Sequence, residues 1–269
     1  SSRHGAIYTL TDEQSYEGTV YDKQAFVYVP DSYSPARPMN VLYLTHGWWG
    51  NAAGLAAGVA PVVDKLEASG EVSPTIVVFA TYYPDRSFAT DDYEEDYALN
   101  RFFATTEIDT LIDTVESRYM TFARGDTSDQ SLRASRRHRA FGGFSMGATT
   151  TWDVFALRPQ YFYGYMPMAG ESWIGREEDA DFPRIAELVT AGIGRAHYGP
   201  RDFLILASVG SEDPALWDMT PQIDELREDY PDLMTESSLQ VWIDDGEDHS
   251  MTSVCNQVAH SLPLLFPPA

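Results

Sequence analysis

Only one cysteine, Cys255, occurs in the 269 residues. An intramolecular disulfide is thereby excluded, and with it a small scaffold stapled by such bonds; secretion is not excluded. Positive charge is also scarce. Lys and Arg number 18 against 41 Asp and Glu, for a net charge of −23 and a pI of about 4.4. A field of that sign repels phosphate backbones and anionic lipid, so neither nucleic acid nor a membrane surface is an expected partner. No run approaches the roughly 18 consecutive apolar residues of a membrane-spanning helix. A dinucleotide-binding glycine fingerprint is missing. The acids in DDYEED (91–96) and DDGED (244–248) lack the spacing of a calcium loop. No cofactor and no metal are therefore expected. There is no internal repeat, low-complexity tract or linker, so residues 1–269 read as one domain. The chain opens SSRHG, without Met or an apolar signal core, and reads as one whose targeting segment has been trimmed.

What is present is an apolar fraction of 43%, enough for a sizeable core, and 13% aromatics, including 16 Tyr and 6 Trp. The apolar runs alternate in kind. AFVYV (25–29), VLYLT (41–45), TIVVFA (75–80), RAFGGF (139–144), YGYMPMAG (163–170), FLILASVG (203–210) and LQVWID (239–244) read as strands. Helical spacing appears over 59–69, 96–119, 146–157, 220–229 and 250–262. Several of the strand runs are continuously apolar, as in strands covered on both faces. The alternation predicts an α/β fold with a mostly parallel central sheet and helices on both sides. Residues 171–202 exceed a simple crossover and are expected to form a short lid-like insertion. The cluster DDYEED reads as a solvated loop leading into a helix.

Residues 141–150 read FGGFSMGATT. A lone G-x-S-x-G arises by chance in roughly one chain in ten of this length. Here a strand precedes it and a helix follows, which is the context of a nucleophile elbow. Such a turn lifts the Ser145 hydroxyl to the carboxyl end of the sheet, where open α/β folds bind ligands. A serine hydroxyl needs a base. Of the histidines after Ser145, His197 precedes a strand and reads as a surface or lid residue. His260 falls inside the terminal helix. His249, in DDGEDHSMTS after LQVWID, stands where a base reaches the serine. The orienting acid is expected after FLILASVG, in SEDPALWD: Asp213 is the first choice, with Glu212 and Asp218 as alternatives. Two amides must stabilise the oxyanion. Met146, following the nucleophile, offers one. Trp48, in the HGWW turn after VLYLT, offers the other. His46 in that turn reads as a structural hydrogen-bonder.

These residues carry a resemblance. VYVPDSY (27–33), VLYLTHGWWGN (41–51), LIDTVESRYMT (111–121), RRHRAFGGFSMGATTTW (136–152), MPMAGESW (166–173), ASVGSEDP (207–214) and GEDHSMTSVCNQVAHSLPLLF (246–266) span nearly the whole chain. Together they resemble the feruloyl esterase and acetylxylan esterase group of carbohydrate esterase family one, the esterase D–like branch of the α/β-hydrolases. GGFSMG and MPMAGESW are most similar to feruloyl esterase modules attached to bacterial xylanases. The resemblance implies a Ser–His–Asp esterase acting on plant cell-wall polysaccharide. It implies Ser145, His249 and Asp213 as the triad and the Trp48 and Met146 amides as oxyanion hole. A polymeric substrate implies an extracellular or cell-surface location; small feruloylated oligosaccharides could also be hydrolysed inside the cell.

The motifs are shared by acetyl and feruloyl esterases, so the acyl group must be read from other residues. Trp49, Tyr82, Tyr83, Trp173 and Trp217 fall on loops beyond strand ends and are candidate substrate contacts. Tyr and Trp supply an apolar slot together with a hydrogen-bonding tip, as a hydroxycinnamoyl ring requires. Glu171 is a further candidate. The expected substrate is feruloylated arabinoxylan or an oligosaccharide of it. Deacetylation of xylan or another small ester is the alternative, and an inactive carbohydrate-binding domain a third reading.

Overall fold

The computed structural model describes residues 4–84 and 86–269. Among the described residues, eight strands form one sheet: β1 (Ala6–Tyr16), β2 (Thr19–Val29), β3 (Asn40–Thr45), β4 (Thr75–Ala80), β5 (Arg139–Phe144), β6 (Gly164–Met168), β7 (Leu204–Gly210) and β8 (Leu239–Asp244). Their order is β1-β2-β4-β3-β5-β6-β7-β8. β1 and β2 form an antiparallel hairpin, β2 runs antiparallel to β4, and every other pair is parallel. The expected mostly parallel α/β sheet is the observed one. The hairpin is an addition: β1 was not anticipated, and β2 starts six residues before the expected strand at 25–29.

The helices are α1 (Ala52–Ala68), α2 (Tyr97–Phe102), α3 (Ile108–Glu116), α4 (Asp129–Ala134), α5 (Met146–Leu157), α6 (Phe182–Ala196), α7 (Leu216–Asp229) and α8 (Met251–Leu265). The period-2 alternation of the strands divides the core. Val41 and Tyr43 point to one face, where they join Val78, Phe141, Ile112 and Phe155. Leu42 and Leu44 point to the other, against Val59 and Val63 of α1 and Val258 and Leu262 of α8. All of these are buried. Covering both faces this way makes the parallel strands read as unbroken apolar runs. Among the described residues, no helix is long and apolar enough to cross a membrane.

Two helical expectations are corrected. The predicted helix 96–119 is interrupted by a π-helical segment at Phe103–Glu107, which turns Glu107 inward to pair with the buried Lys23 of β2. The proposed insertion at 171–202 is mostly an ordinary crossover. Its residues 182–196 are α6, whose Gly192 packs so close to α5 that a Cβ would lie 2.2 Å from the Ala156 carbonyl oxygen. The stretch 171–181, with Phe182 and Ile185 of α6, borders a cavity beyond β6.

Candidate active site

Ser145 joins β5 to α5 with φ 60° and ψ −112°. A non-glycine residue held there stores roughly 1–3 kcal/mol of backbone strain. The surroundings enforce it. The Ser145 amide donates to the Met168 carbonyl at 2.8 Å, and the Ser145 carbonyl accepts from the amides of Ala148 (2.9 Å) and Thr149 (3.2 Å), starting α5. The flanking glycines are needed for close approach. A Cβ on Gly143 would lie 2.3 Å from the Gly147 oxygen, and one on Gly147 2.4 Å from the Thr45 oxygen. Either contact would push strand and helix apart.

His249 lies between β8 and α8. Its Nδ1 is 2.7 Å from Asp213 Oδ2. A carboxylate can only accept, so Nδ1 carries the proton and Nε2 is left as the acceptor. The other Asp213 oxygen accepts from the Ala215 amide at 2.8 Å, and the residue is only 2% exposed. The two loops that bring the pair together are stitched to each other. The Glu212 amide donates to the Glu247 carbonyl, and the Gly246 amide to Ser211 Oγ. Of the three acids considered, the geometry selects Asp213. Glu212 is exposed, and Asp218 stands on α7 in the cavity wall. The imidazole packs 4.4 Å from the Phe144 ring, centroid to centroid, which places it beside the elbow. His197 caps the end of α6 and His260 stacks on Trp242, so both lie elsewhere.

The turn after β3 closes over the serine: a Cβ on Gly47 would be 3.3 Å from Ser145 Cβ. Trp48 follows Gly47 directly. Met146 is the first residue of α5, so its amide has no carbonyl partner within the helix and stands at the positive end of the helix dipole. His46 is 2% exposed, with Nδ1 2.6 Å from the Gly47 carbonyl and Nε2 2.7 Å from Thr81 Oγ1. It braces the turn, in keeping with its structural reading.

Ser145, Asp213, His249, Trp48 and Met146 all border one cavity of about 620 Å³. Trp49, Tyr93, Phe144 and Trp173 wall it. Trp48 packs between Trp49 and Tyr93, at centroid distances of 4.4 and 5.8 Å, and Tyr93 continues to Trp173 at 5.3 Å. Glu171 also borders the cavity and accepts from Trp173 Nε1 at 2.7 Å. Burial raises its carboxyl above the ordinary value, with the Trp173 hydrogen bond opposing.

Three of the expected contacts lie outside the active-site cavity. Tyr82 is 1% exposed and spends its hydroxyl on the His46 carbonyl. Tyr83 is buried, with its hydroxyl on Asp96 Oδ2 (2.7 Å) and the Met146 sulfur (3.4 Å). Both support the turn from beneath and neither lines the cavity. Trp217 is 76% exposed and borders a neighbouring cavity instead. One residue was missed. Asp96, within the supposedly solvated DDYEED, is 2% exposed. Its carboxylate accepts from Trp48 Nε1 (2.9 Å), Tyr83 and the Thr90 amide. It locks the Trp48 ring, and with it the turn that carries the Trp48 amide.

Comparisons with known proteins show the family to which the chain belongs. A family model described as "Putative esterase" matches residues 20–257. Endo-1,4-beta-xylanase Y of Acetivibrio thermocellus is 30% identical over 261 residues, which are 94% of this chain and 23% of that protein. An endo-1,4-beta-xylanase/feruloyl esterase of Xylanibacter ruminicola is 28% identical over 202 residues, 71% of this chain and 25% of that protein. The chain thus spans about a quarter of the length of these curated relatives. Among solved structures, a serine-to-alanine mutant of the feruloyl esterase module from Clostridium thermocellum, complexed with sinapinate, is 28% identical with a TM-score of 0.79. That match covers 98% of this chain and 88% of the other.

Proposed function

The chain belongs to this esterase family, and from that membership we propose that it is a serine esterase releasing hydroxycinnamate, ferulate foremost, from neutral plant cell-wall polysaccharide. The observation that carries the reading is the His249–Asp213 hydrogen bond of 2.7 Å beside Ser145, in an aromatic-walled cavity of about 620 Å³. A pocket of that size and lining suits a substituted aromatic ring, whereas an acetyl group would leave most of it empty. The relative named for feruloyl esterase activity, and the feruloyl esterase module complexed with sinapinate, support the same acyl class.

The mechanism follows from the residues. Ser145 Oγ attacks the ester carbonyl while His249 Nε2 takes its proton. Asp213 holds the imidazole tautomer and stabilises the imidazolium. The amides of Trp48 and Met146 receive the oxyanion. His249 then protonates the departing sugar oxygen, leaving a feruloyl–Ser145 ester. Water, deprotonated by His249, releases ferulate. The xylanase relatives support a setting outside the cell, where such a polymer is met.

Ferulate release from methyl ferulate and from feruloylated arabinoxylan, beside acetate release from an acetyl ester, tests the reading. The wild type is expected to favour the feruloyl esters, and Ser145→Ala to lower kcat by at least about a thousandfold. Preferential cleavage of the acetyl ester would overturn the substrate class. A fully active Ser145→Ala would overturn the nucleophile.

A further inference from the structure

Two cavities flank the active-site cavity. On one side, above the hairpin and β4, a cavity of about 650 Å³ shares Trp49 and Asn51 with it and is bordered by Asp22 and Gln24 of β2. On the other, beyond β6, a cavity of about 290 Å³ shares Glu171, Trp173 and Asp218 with it and is bordered by Trp217 and Gln222 of α7. Strand order places the three in succession across the carboxyl end of the sheet. Each flanking cavity has a broad exposed indole at its edge: Trp49 is 82% exposed and Trp217 76%.

We propose that these flanking cavities are glycan subsites. In this reading, an uncharged pentose-based chain crosses the active site, with Trp49 and Trp217 as its stacking platforms. The inference rests on the proposed esterase function and adds how the alcohol side of the ester is held. An ester carried as a branch on a polymer brings the chain across the mouth of the pocket that takes the acyl group, and the two flanking cavities open there. Their chemistry suits neutral sugar. Flat indoles stack on the apolar faces of pyranose rings, and the carboxylates and amides accept and donate to hydroxyl groups. Among the described residues, Asp22, Asp179, Asp218 and Glu171 border the flanking cavities, with Arg176 and His46 the basic residues there. Arg176 already pairs with Glu94 at 3.2 Å and lies over the Trp173 ring. Together with the net charge of −23, this surface repels a uronate-rich chain.

Trp217 separates the subsites from the chemistry, because it lies outside the active-site cavity. Trp217→Ala is expected to raise KM for a feruloylated arabinoxylo-oligosaccharide roughly tenfold while sparing kcat. KM and kcat for methyl ferulate should stay within about twofold of wild type. An unchanged oligosaccharide KM, or an equal loss on both substrates, would overturn the proposal. If the wild type cleaves no feruloyl ester, the proposed function fails. Titration calorimetry of unesterified arabinoxylo-oligosaccharide on wild type and Trp217→Ala then decides the subsites alone. Weaker binding by the variant supports them. Equal binding, or tighter binding of a galacturonate oligosaccharide, refutes them.

Discussion

The two ends of β5 are only a few residues apart and are built on opposite principles. At the amino end, Arg139 is 1% exposed and all five of its N–H groups are used. Nε and Nη2 donate to Glu116 at 2.7 and 2.8 Å, Nη1 to the carbonyls of Leu132 and Tyr161, and Nη2 also to Ser135 Oγ. Glu116 is fully buried and further accepts from Tyr43 and Thr121, each at 2.7 Å. Burial and the Glu116 charge hold the Tyr43 hydroxyl well above its ordinary pKa. At the carboxyl end, Ser145 sits in a strained backbone beneath an open cavity, hemmed in by glycines that leave no room for a side chain. The first end tolerates no unpaired group; the second keeps hydrogen-bonding capacity in reserve for a ligand. Stability and chemistry are thus separable along one strand.

Mutations should reproduce that separation. The largest expected effect is the loss of turnover in Ser145→Ala, which should leave the unfolding midpoint nearly unchanged because the hydroxyl supports no packing. The converse is Glu116→Gln, which keeps the shape and strands the buried Arg139 charge. It should lose about 3 kcal/mol in denaturant unfolding while folded enzyme keeps its kcat. If Glu116→Gln lost activity without losing stability, the separation would be wrong.

A smaller effect compares two buried carboxylates. Glu116 has Arg139 opposite it. Asp153, fully buried on α5, accepts from Tyr97 at 2.7 Å but has no hydrogen-bond partner for Oδ2 among the described residues. Burial pushes the Asp153 carboxyl from 3.8 up to about 7. Between those values the folded chain holds a proton that the unfolded chain has released. Stability from this group is therefore complete below about 4 and is lost as pH rises toward 7. Asp153→Asn, neutral throughout, should gain about 2 kcal/mol on wild type between pH 5 and pH 8. Parallel pH–stability curves for the two proteins would refute this.

The sequence was most legible where one physical rule acted alone. Runs such as VLYLT and TIVVFA are apolar on both faces because helices cover both, and each strand lies where its run lies. Ser145, Asp213 and His249 follow strand ends in chain order, and the fold brings them to one cavity. Reading failed where polar residues turn inward. In the hairpin, Asp12, Gln14 and Lys23 occupy buried positions, so the alternation that marks a half-buried strand is masked. Their cost is met by Gln14 donating to Asp12 and by the Lys23–Glu107 pair, and Glu107 comes from the π segment that no proline or glycine announces. Position after a strand also does not tell a ring facing a ligand from one packed beneath the loop. Tyr82, Tyr83 and Trp173 all follow strands, but only Trp173 borders the cavity. Asp96 hid among five other acidic or aromatic neighbours in DDYEED, since only the folded chain brings Trp48 and Tyr83 to it.

The central claim is that the strained serine at the end of β5 is the nucleophile. Labelling with a fluorophosphonate, which forms a Ser O–P bond and expels fluoride, tests it most directly when followed by peptide mass mapping. The account predicts one label per chain, on Ser145, with ferulate release falling in proportion to labelling and no label on Ser145→Ala. A label on another residue, or full activity in chains already labelled at Ser145, would contradict it.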